Sequence, residues 1–150
     1  MSIRIFVDAD ACPVKDEVYK VALRTDVPVT LVSNAYLRIP KHELIDQVVV
    51  EMDPDAADDH IAERADAWSI VVTADIPLAD RCLKAGSIVL APNGKAFTES
   101  SIGSAMATRA LMQDLRAGGD IVGGPPPFQK RDRSRFLQAL DTAIVKLQRA

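Results

Sequence analysis

The sequence predicts an α/β fold: a three-layer α/β/α sandwich with a mainly parallel sheet of about five strands. Three observations carry that expectation. The apolar runs are short and β-branched; they do not alternate with polar residues, so both faces need cover; and helical stretches separate most of them. With 150 residues, 48% hydrophobic and 26% charged, the chain has the size and composition of one globular domain over 1–150. Aromatics are only 5%, so aliphatic side chains must fill the core.

Ile3–Val7 is an apolar run that ends abruptly in Asp8-Ala9-Asp10 and gives the first strand. Pro13 opens a helix in which Val14, Val18, Ala22 and Leu23 recur as one buried stripe. Pro28–Val32 and Gln47–Val50 read as the second and third strands, and Asp55–Ala67 as a helix with Ala57, Ile61 and Ala65 on one face. Ser69–Thr73 is the fourth strand, closed by Asp75. A helix over about Pro77–Ala85 stops at Gly86, and Ser87–Leu90 is the fifth strand. Two helices, about Thr98–Ala117 and Arg133–Gln148, flank the irregular Gly/Pro-rich stretch Gly118–Arg131. Irregular stretches of that length tend to be functional or disordered.

A net charge of −3 argues against a protein that coats nucleic acid through its overall charge, though not against a local basic patch. No apolar run reaches the roughly 18 residues of a membrane span, and the start of the chain has no signal-peptide layout. The two cysteines, Cys12 and Cys82, cannot build a disulfide scaffold. The expectation is a cytoplasmic chain without membrane contact. Its oligomeric state is not legible.

Acids close two of the strands, and ligands of parallel sheets sit beyond the strands' carboxyl ends. At extended geometry Asp8 and Asp10 point the same way, and Asp75 joins them if strands one and four are neighbours. Asp58 and Asp59, early in the helix before strand four, reach the same edge or merely complement that helix's N-terminus. Crowded carboxylates repel, and a divalent cation relieves the repulsion. With no convergent Cys/His set, a hard cation such as Mg²⁺ fits better than zinc, and it suits phosphodiester chemistry. The structural alternative for each Asp is a helix N-cap, open to Asp10 and Asp75 above all.

Three segments resemble one family in order along nearly the whole chain: Val7-Asp8-Ala9-Asp10-Ala11-Cys12-Pro13-Val14-Lys15; Asp55–Ile61 with Val71–Ala79; and Gly123-Gly124-Pro125-Pro126-Pro127-Phe128 with Asp132, Arg133 and Phe136. They resemble the YaiI/YqxD family of small uncharacterised bacterial proteins, which is similar in turn to PIN-like nuclease domains. That likeness implies a ribonuclease acting through Mg²⁺ or Mn²⁺. Asp8 matches the acid after strand one, Asp58 or Asp59 the acid on a central helix, and Thr73-Ala74-Asp75-Ile76-Pro77-Leu78 the Thr-x-Asp-x-x-Leu motif. The sequence departs at the last acid: Pro92-Asn93-Gly94 offers no carboxylate, and Asp10 is its candidate replacement.

On this reading Asp8, Asp10, Asp75 and Thr73 are the catalytic candidates, and Asp8, Asp10, Asp58, Asp59 and Asp75 the metal candidates. Thr73 steadies a carboxylate or the substrate. Lys15, Lys130, Arg131 and Arg133 are candidate phosphate contacts, the last three within the basic stretch Lys130–Arg135; there the competing reading is a solvated face with Asp132 as a helix cap. RNA or another nucleic acid is the expected partner. The leading alternative is a fold-retaining domain that binds metal, nucleic acid or protein without cleaving.

Asp8-Ala9-Asp10 also resembles the first motif of haloacid-dehalogenase-like phosphatases, but no acidic pair follows a still later strand. Cys12, near a helix N-terminus that would lower its pKa, is a weaker nucleophile candidate with no local His as base. Cys82 reads as core, and His60 as a solvent-facing helix residue rather than a ligand. His42 has no evident partner. The glycine pairs at 118–119 and 123–124 fit no phosphate loop, and Phe128 is placed to dock the connector on the body.

Overall fold

Every hydrogen-bonded strand pair is parallel, and the strand order is β3-β2-β1-β4-β5. The computed structural model describes residues 2–53, 55–104 and 128–150. The strands are β1 (Arg4–Asp8), β2 (Val29–Ser33), β3 (Ile45–Val49), β4 (Ser69–Val72) and β5 (Ile88–Leu90). The helices are α1 (Lys15–Thr25), α2 (Ala56–Arg64), α3 (Ile76–Lys84) and a C-terminal helix (Lys130–Gln148). Of the helix expected over 98–117, only its start at 99–104 is described. The remainder, with the Gly118, Gly119, Gly123, Gly124 and Pro125–Pro127 readings, lies outside the described residues.

Alternation along each strand divides the core into two layers. Ile5, Val7, Leu31, Ile70, Val72 and Leu90 face α1 and the C-terminal helix, where Val14, Val18, Phe136, Leu140 and Ile144 are buried. Phe6, Val32, Val71 and Val89 face the other way, onto Ala57 and Ile61 of α2 and Leu78, Ala79 and Cys82 of α3. Two-sided burial explains the unbroken apolar runs of β1 and β4. β3 is an edge strand, which leaves Asp46 exposed, while half-buried Gln47 bonds the Leu37 backbone through its side-chain amide.

Several boundaries shift for local reasons. α1 begins at Lys15, because Pro13 and Val14 form the turn before it. Leu23 is 37% exposed, a correction to the expected stripe. The buried face runs through Val14, Val18, Val21 and Ala22, and the residue after Ala22 rotates about 100° away from it. The expected face of α2 holds: Ala57 and Ile61 are buried and Ala65 packs beside them. That helix ends at Arg64, three residues early, where Asp66 Oδ1 accepts from the Trp68 amide and Ser69 Oγ in a turn. Gly86, at φ +89°, follows the α3 cap in the left-handed conformation.

The C-terminal helix opens three residues sooner than expected, because the Asp132 carboxylate accepts the Gln129 amide (2.8 Å) and closes its first turn. That confirms the capping role considered for Asp132. At Gly94 (φ +89°) the turn after β5 meets this helix so closely that a Cβ would lie 2.7 Å from the Arg135 carbonyl carbon.

Strand order sets the site. From β1 the chain crosses through α1 to β2 on one side, and it returns past β1 to β4 on the other. The carboxyl ends of β1 and β4 are therefore the topological switch point, where the flanking loops diverge and leave a crevice.

Candidate metal centre

In the β1–β4 register Val7 faces Val72, so Asp8 and Thr73 are the next residues on adjacent strands. Thr73 is 1% exposed, and its hydroxyl donates to Asp8 Oδ2 at 2.8 Å. The same hydroxyl oxygen accepts the backbone N–H of Asp75 at 3.0 Å. Asp75 in turn accepts the Leu78 amide at 3.0 Å as the N-cap of α3. One buried hydroxyl thus fixes both strand-end acids. The capping reading of Asp75 holds, and it occupies only one carboxylate oxygen.

Asp8, Asp10, Cys12, Thr73, Asp75 and Pro92 border a crevice of about 280 Å³ at this switch point. Asp10 reaches it by an unexpected route. Residues 9–11 form a 3-10 turn, so the extended same-side argument for Asp8 and Asp10 does not apply. Nor does Asp10 cap α1. Its carboxylate accepts the Asn34 amide, with Oδ1 at 3.0 Å and Oδ2 at 3.3 Å, and so anchors the loop after β2.

The electrostatics are those of crowded acids. Burial pushes the Asp8 carboxyl up, against the Thr73 hydrogen bond, and the charges of Asp75 and Asp10 push it further. Asp58 of α2 is pushed up to about 6, first by burial and then by Asp75, Asp8 and Asp55. Its neighbour Asp59 turns outward and pairs with Arg81 at 2.7 Å. Asp58 therefore feels the charges of the strand-end acids without bordering their crevice, while Asp59 stays on the surface.

The other candidates disperse. Lys15 is half-buried at the start of α1, while Lys130 and Arg131 are exposed on the C-terminal helix; none of them borders the crevice. Arg133 donates to the Pro13 carbonyl (2.6 Å) and to Glu17 Oε1 (3.1 Å), and its guanidinium lies 5.0 Å from the Phe128 ring centroid. Phe128 packs on the body as expected. Cys12 is buried, and burial raises its thiol pKa despite the nearby positive charge of Lys15. That corrects the expected lowering and weighs against a thiolate nucleophile. Cys82 is core, its thiol pushed up to about 11. His60 is half-buried, its pKa lowered by burial and then Arg64, and it stands outside the crevice lining. His42 accepts the Leu44 amide at 3.0 Å in a turn. Sequence reasoning passed over Asn34 and Glu17. Both act across long sequence separations that no local pattern signals.

Among the described residues, no three His, Cys, Asp or Glu side chains stand close enough to ligate one ion together. That arrangement does not fit a closed all-protein cage. It does fit a hydrated Mg²⁺ or Mn²⁺ site, because such ions take one or two carboxylates directly and keep several waters. Asp8 and Asp75, with hard oxygen donors, would be the residues to hold such an ion. Asn93 turns its Oδ1 to the Lys95 amide (3.0 Å), and Pro92 rather than Asn93 borders the crevice.

No described helix is long and apolar enough to cross a membrane. Among curated relatives, the chain is 67% identical over 146 residues to a UPF0178 protein of Sphingopyxis alaskensis, covering 97% of this chain and 95% of the relative. It is 60% identical over 149 residues to a UPF0178 protein of Nitrobacter winogradskyi, covering 99% and 95%. A UPF0178 protein of Rhodopseudomonas palustris matches at 62% over 146 residues, covering 97% and 92%. Residues 6–146 match the family described as uncharacterized BCR, YaiI/YqxD family, and the chain belongs to that YaiI/YqxD family.

Proposed function

We propose that this protein is a cytoplasmic, divalent-metal-dependent phosphodiester hydrolase acting on RNA. The observation that supports it best is the convergence of Asp8 and Asp75 at the sheet's switch point, both fixed by the buried Thr73 hydroxyl. Such prealignment costs stability, because it holds like charges together, and a bound cation offsets that cost. Mg²⁺ or Mn²⁺ at Asp8 and Asp75 supplies charge neutralisation and Lewis acidity to a phosphodiester.

The chain's own residues do the rest. Thr73 holds Asp8 in one orientation, and the α3 cap holds Asp75. Asp58, whose carboxyl is pushed up by burial and by the charges of Asp75 and Asp8, adds to the negative field that draws in the cation. Asp10 borders the crevice and anchors the Asn34 loop. Lys15, Lys130, Arg131 and Arg133 stand outside the crevice lining, so a phosphate role for them requires a long substrate.

The test is cleavage of labelled RNA by the wild type with Mg²⁺ or Mn²⁺, against EDTA. Asp8→Asn and Asp75→Asn should each lower turnover by at least about a thousandfold, with the fold intact by circular dichroism. Metal-independent cleavage that survives Asp8→Asn would refute the proposal. Asn93 in place of a carboxylate favours a second reading, a domain that binds metal and RNA without cleaving. Metal-dependent RNA retention without turnover would select it.

A further inference from the structure

Two of the most exposed large hydrophobic residues in the described chain, Tyr36 (82%) and Met52 (86%), follow closely in sequence the two partners of one hydrogen bond, which joins the loop after β2 to the segment after β3. Asn34 makes that bond. Its Nδ2 donates to the Glu51 carbonyl at 2.7 Å, while its backbone N–H donates to Asp10, which borders the crevice. Two residues after Asn34 comes Tyr36, and directly after Glu51 comes Met52.

The loop that carries Tyr36 is firmly held. The Gln47 side chain clamps both polar backbone groups of Leu37, accepting its N–H at 2.9 Å and donating to its carbonyl at 2.7 Å. Ser33 Oγ donates to the Ala35 carbonyl at 2.6 Å. An exposed aromatic ring on a pinned backbone has little backbone freedom left to lose on binding. Over residues 34–44 the loop also carries exposed Arg38 and Lys41 against the single acid Glu43. An exposed ring beside positive charge is the composition of a stacking platform for unpaired bases, since a base in a duplex has no free face.

We propose that Tyr36 stacks a base of single-stranded RNA at the mouth of the acidic crevice, with Met52 beside it and Arg38 and Lys41 along the backbone. This rests on the hydrolase reading above and narrows its substrate to unpaired strands. Tyr36 is a specificity-determining contact, apart from the Asp8–Thr73–Asp75 machinery.

The experiment is fluorescence anisotropy of labelled poly-pyrimidine RNA, single-stranded and as a duplex, in EDTA so that nothing turns over. Single strands should bind the wild type at least about tenfold more tightly than duplex. Tyr36→Ala should weaken that binding by roughly tenfold, with Tyr36→Phe close to wild type because the ring is retained. Arg38→Gln and Lys41→Gln should each flatten the salt dependence by about one charge. The inference falls if Tyr36→Ala binds as the wild type does, if duplex binds equally well, or if no RNA binds. It also falls if the exposed residues serve a second copy instead, seen as a dimer in sedimentation that Tyr36→Ala dissolves. The two readings separate cleanly. Metal-dependent cleavage lost in Asp8→Asn but unchanged in Tyr36→Ala would retain the hydrolase and remove the platform.

Discussion

The acidic crevice and the basic start of the C-terminal helix are both charge clusters, and they are resolved in opposite ways. In the basic stretch the two groups that touch the body meet partners of complementary kind: Asp132 closes the helix turn, and Arg133 meets Glu17, the Pro13 carbonyl and the Phe128 ring. In the crevice, like meets like. Asp75 and Asp10 add to the burial that pushes the Asp8 carboxyl up, and Asp75 and Asp8 do the same to nearby Asp58, outweighing the opposing charge of Arg81. A cluster that satisfies itself is explained by folding. One that holds repulsion in place needs something from outside, and that contrast is the physical basis for putting function in the crevice.

The largest effect that would break the contrast is at Arg133. Glu17 is 9% exposed, and its Oε2 is buried without a hydrogen-bond partner among the described residues, so Arg133 is its ion-pair contact. Arg133→Ala leaves that carboxylate alone and removes the tie to Pro13. The expected loss is about 2–3 kcal/mol, or roughly 4–10 °C in melting temperature, with the half-exposed guanidinium holding it below the cost of a fully buried pair. Adding Glu17→Gln should recover part of the loss, because the two act as a unit. A change under about 0.5 kcal/mol would return Arg133 to the pool of free phosphate contacts.

The fold was legible because it depends on patterns with short periods. Unbroken β-branched runs marked β1, β2 and β4, i, i+4 spacing marked α1 and α2, and Gly86 marked the end of α3. Asp8, Thr73 and Asp75 were legible too, since strand ends are fixed by the same runs. The failures have one character. Leu23, one residue past a correctly read stripe, and Asp10, in a 3-10 turn rather than an extended pair, depend on a local rotation that hydropathy does not encode. Asn34, Gln47 and Glu17 escaped because their partners lie 10 to 116 residues away. The choice between Asp58 and Asp59 required knowing where α3 places Arg81.

The intermediate effect concerns Asp58, and its sign reverses the usual expectation for a folded protein's acid. Its carboxyl is pushed up from 3.8 to about 6, so the folded chain holds the proton more tightly than the unfolded chain does. Stability is then greatest below about pH 4 as far as this group is concerned, and it falls as the pH rises through 6. Asp58 is half-exposed, so solvent screening reduces the loss to about 1 kcal/mol. In EDTA at pH 7.5, Asp58→Asn should melt roughly 2–4 °C above the wild type, and at pH 4 the two should coincide. Mg²⁺ should stabilise the wild type and narrow the gap at pH 7.5. An Asn variant that melts lower at both pH values would make Asp58 a structural residue and dissolve the contrast.

The smallest effect sharpens it most, because it lies one residue away. Asp59 shares the first turn of α2 with Asp58 and carries the same charge, yet it faces Arg81 across the surface. Its carboxylate is about half exposed and its partner nearly so, at 53% and 45%. An exposed pair of that kind contributes roughly 0.2–1 kcal/mol, and salt screens it. Asp59→Asn should therefore lower the melting temperature by about 1–2 °C at low salt, with the difference vanishing near 1 M NaCl and no response to Mg²⁺. Opposite signs for neighbouring Asp→Asn changes cannot come from helix propensity or the helix dipole, which treat both positions alike. They would come from what each carboxylate faces: a cation at Asp59 and other carboxylates at Asp58.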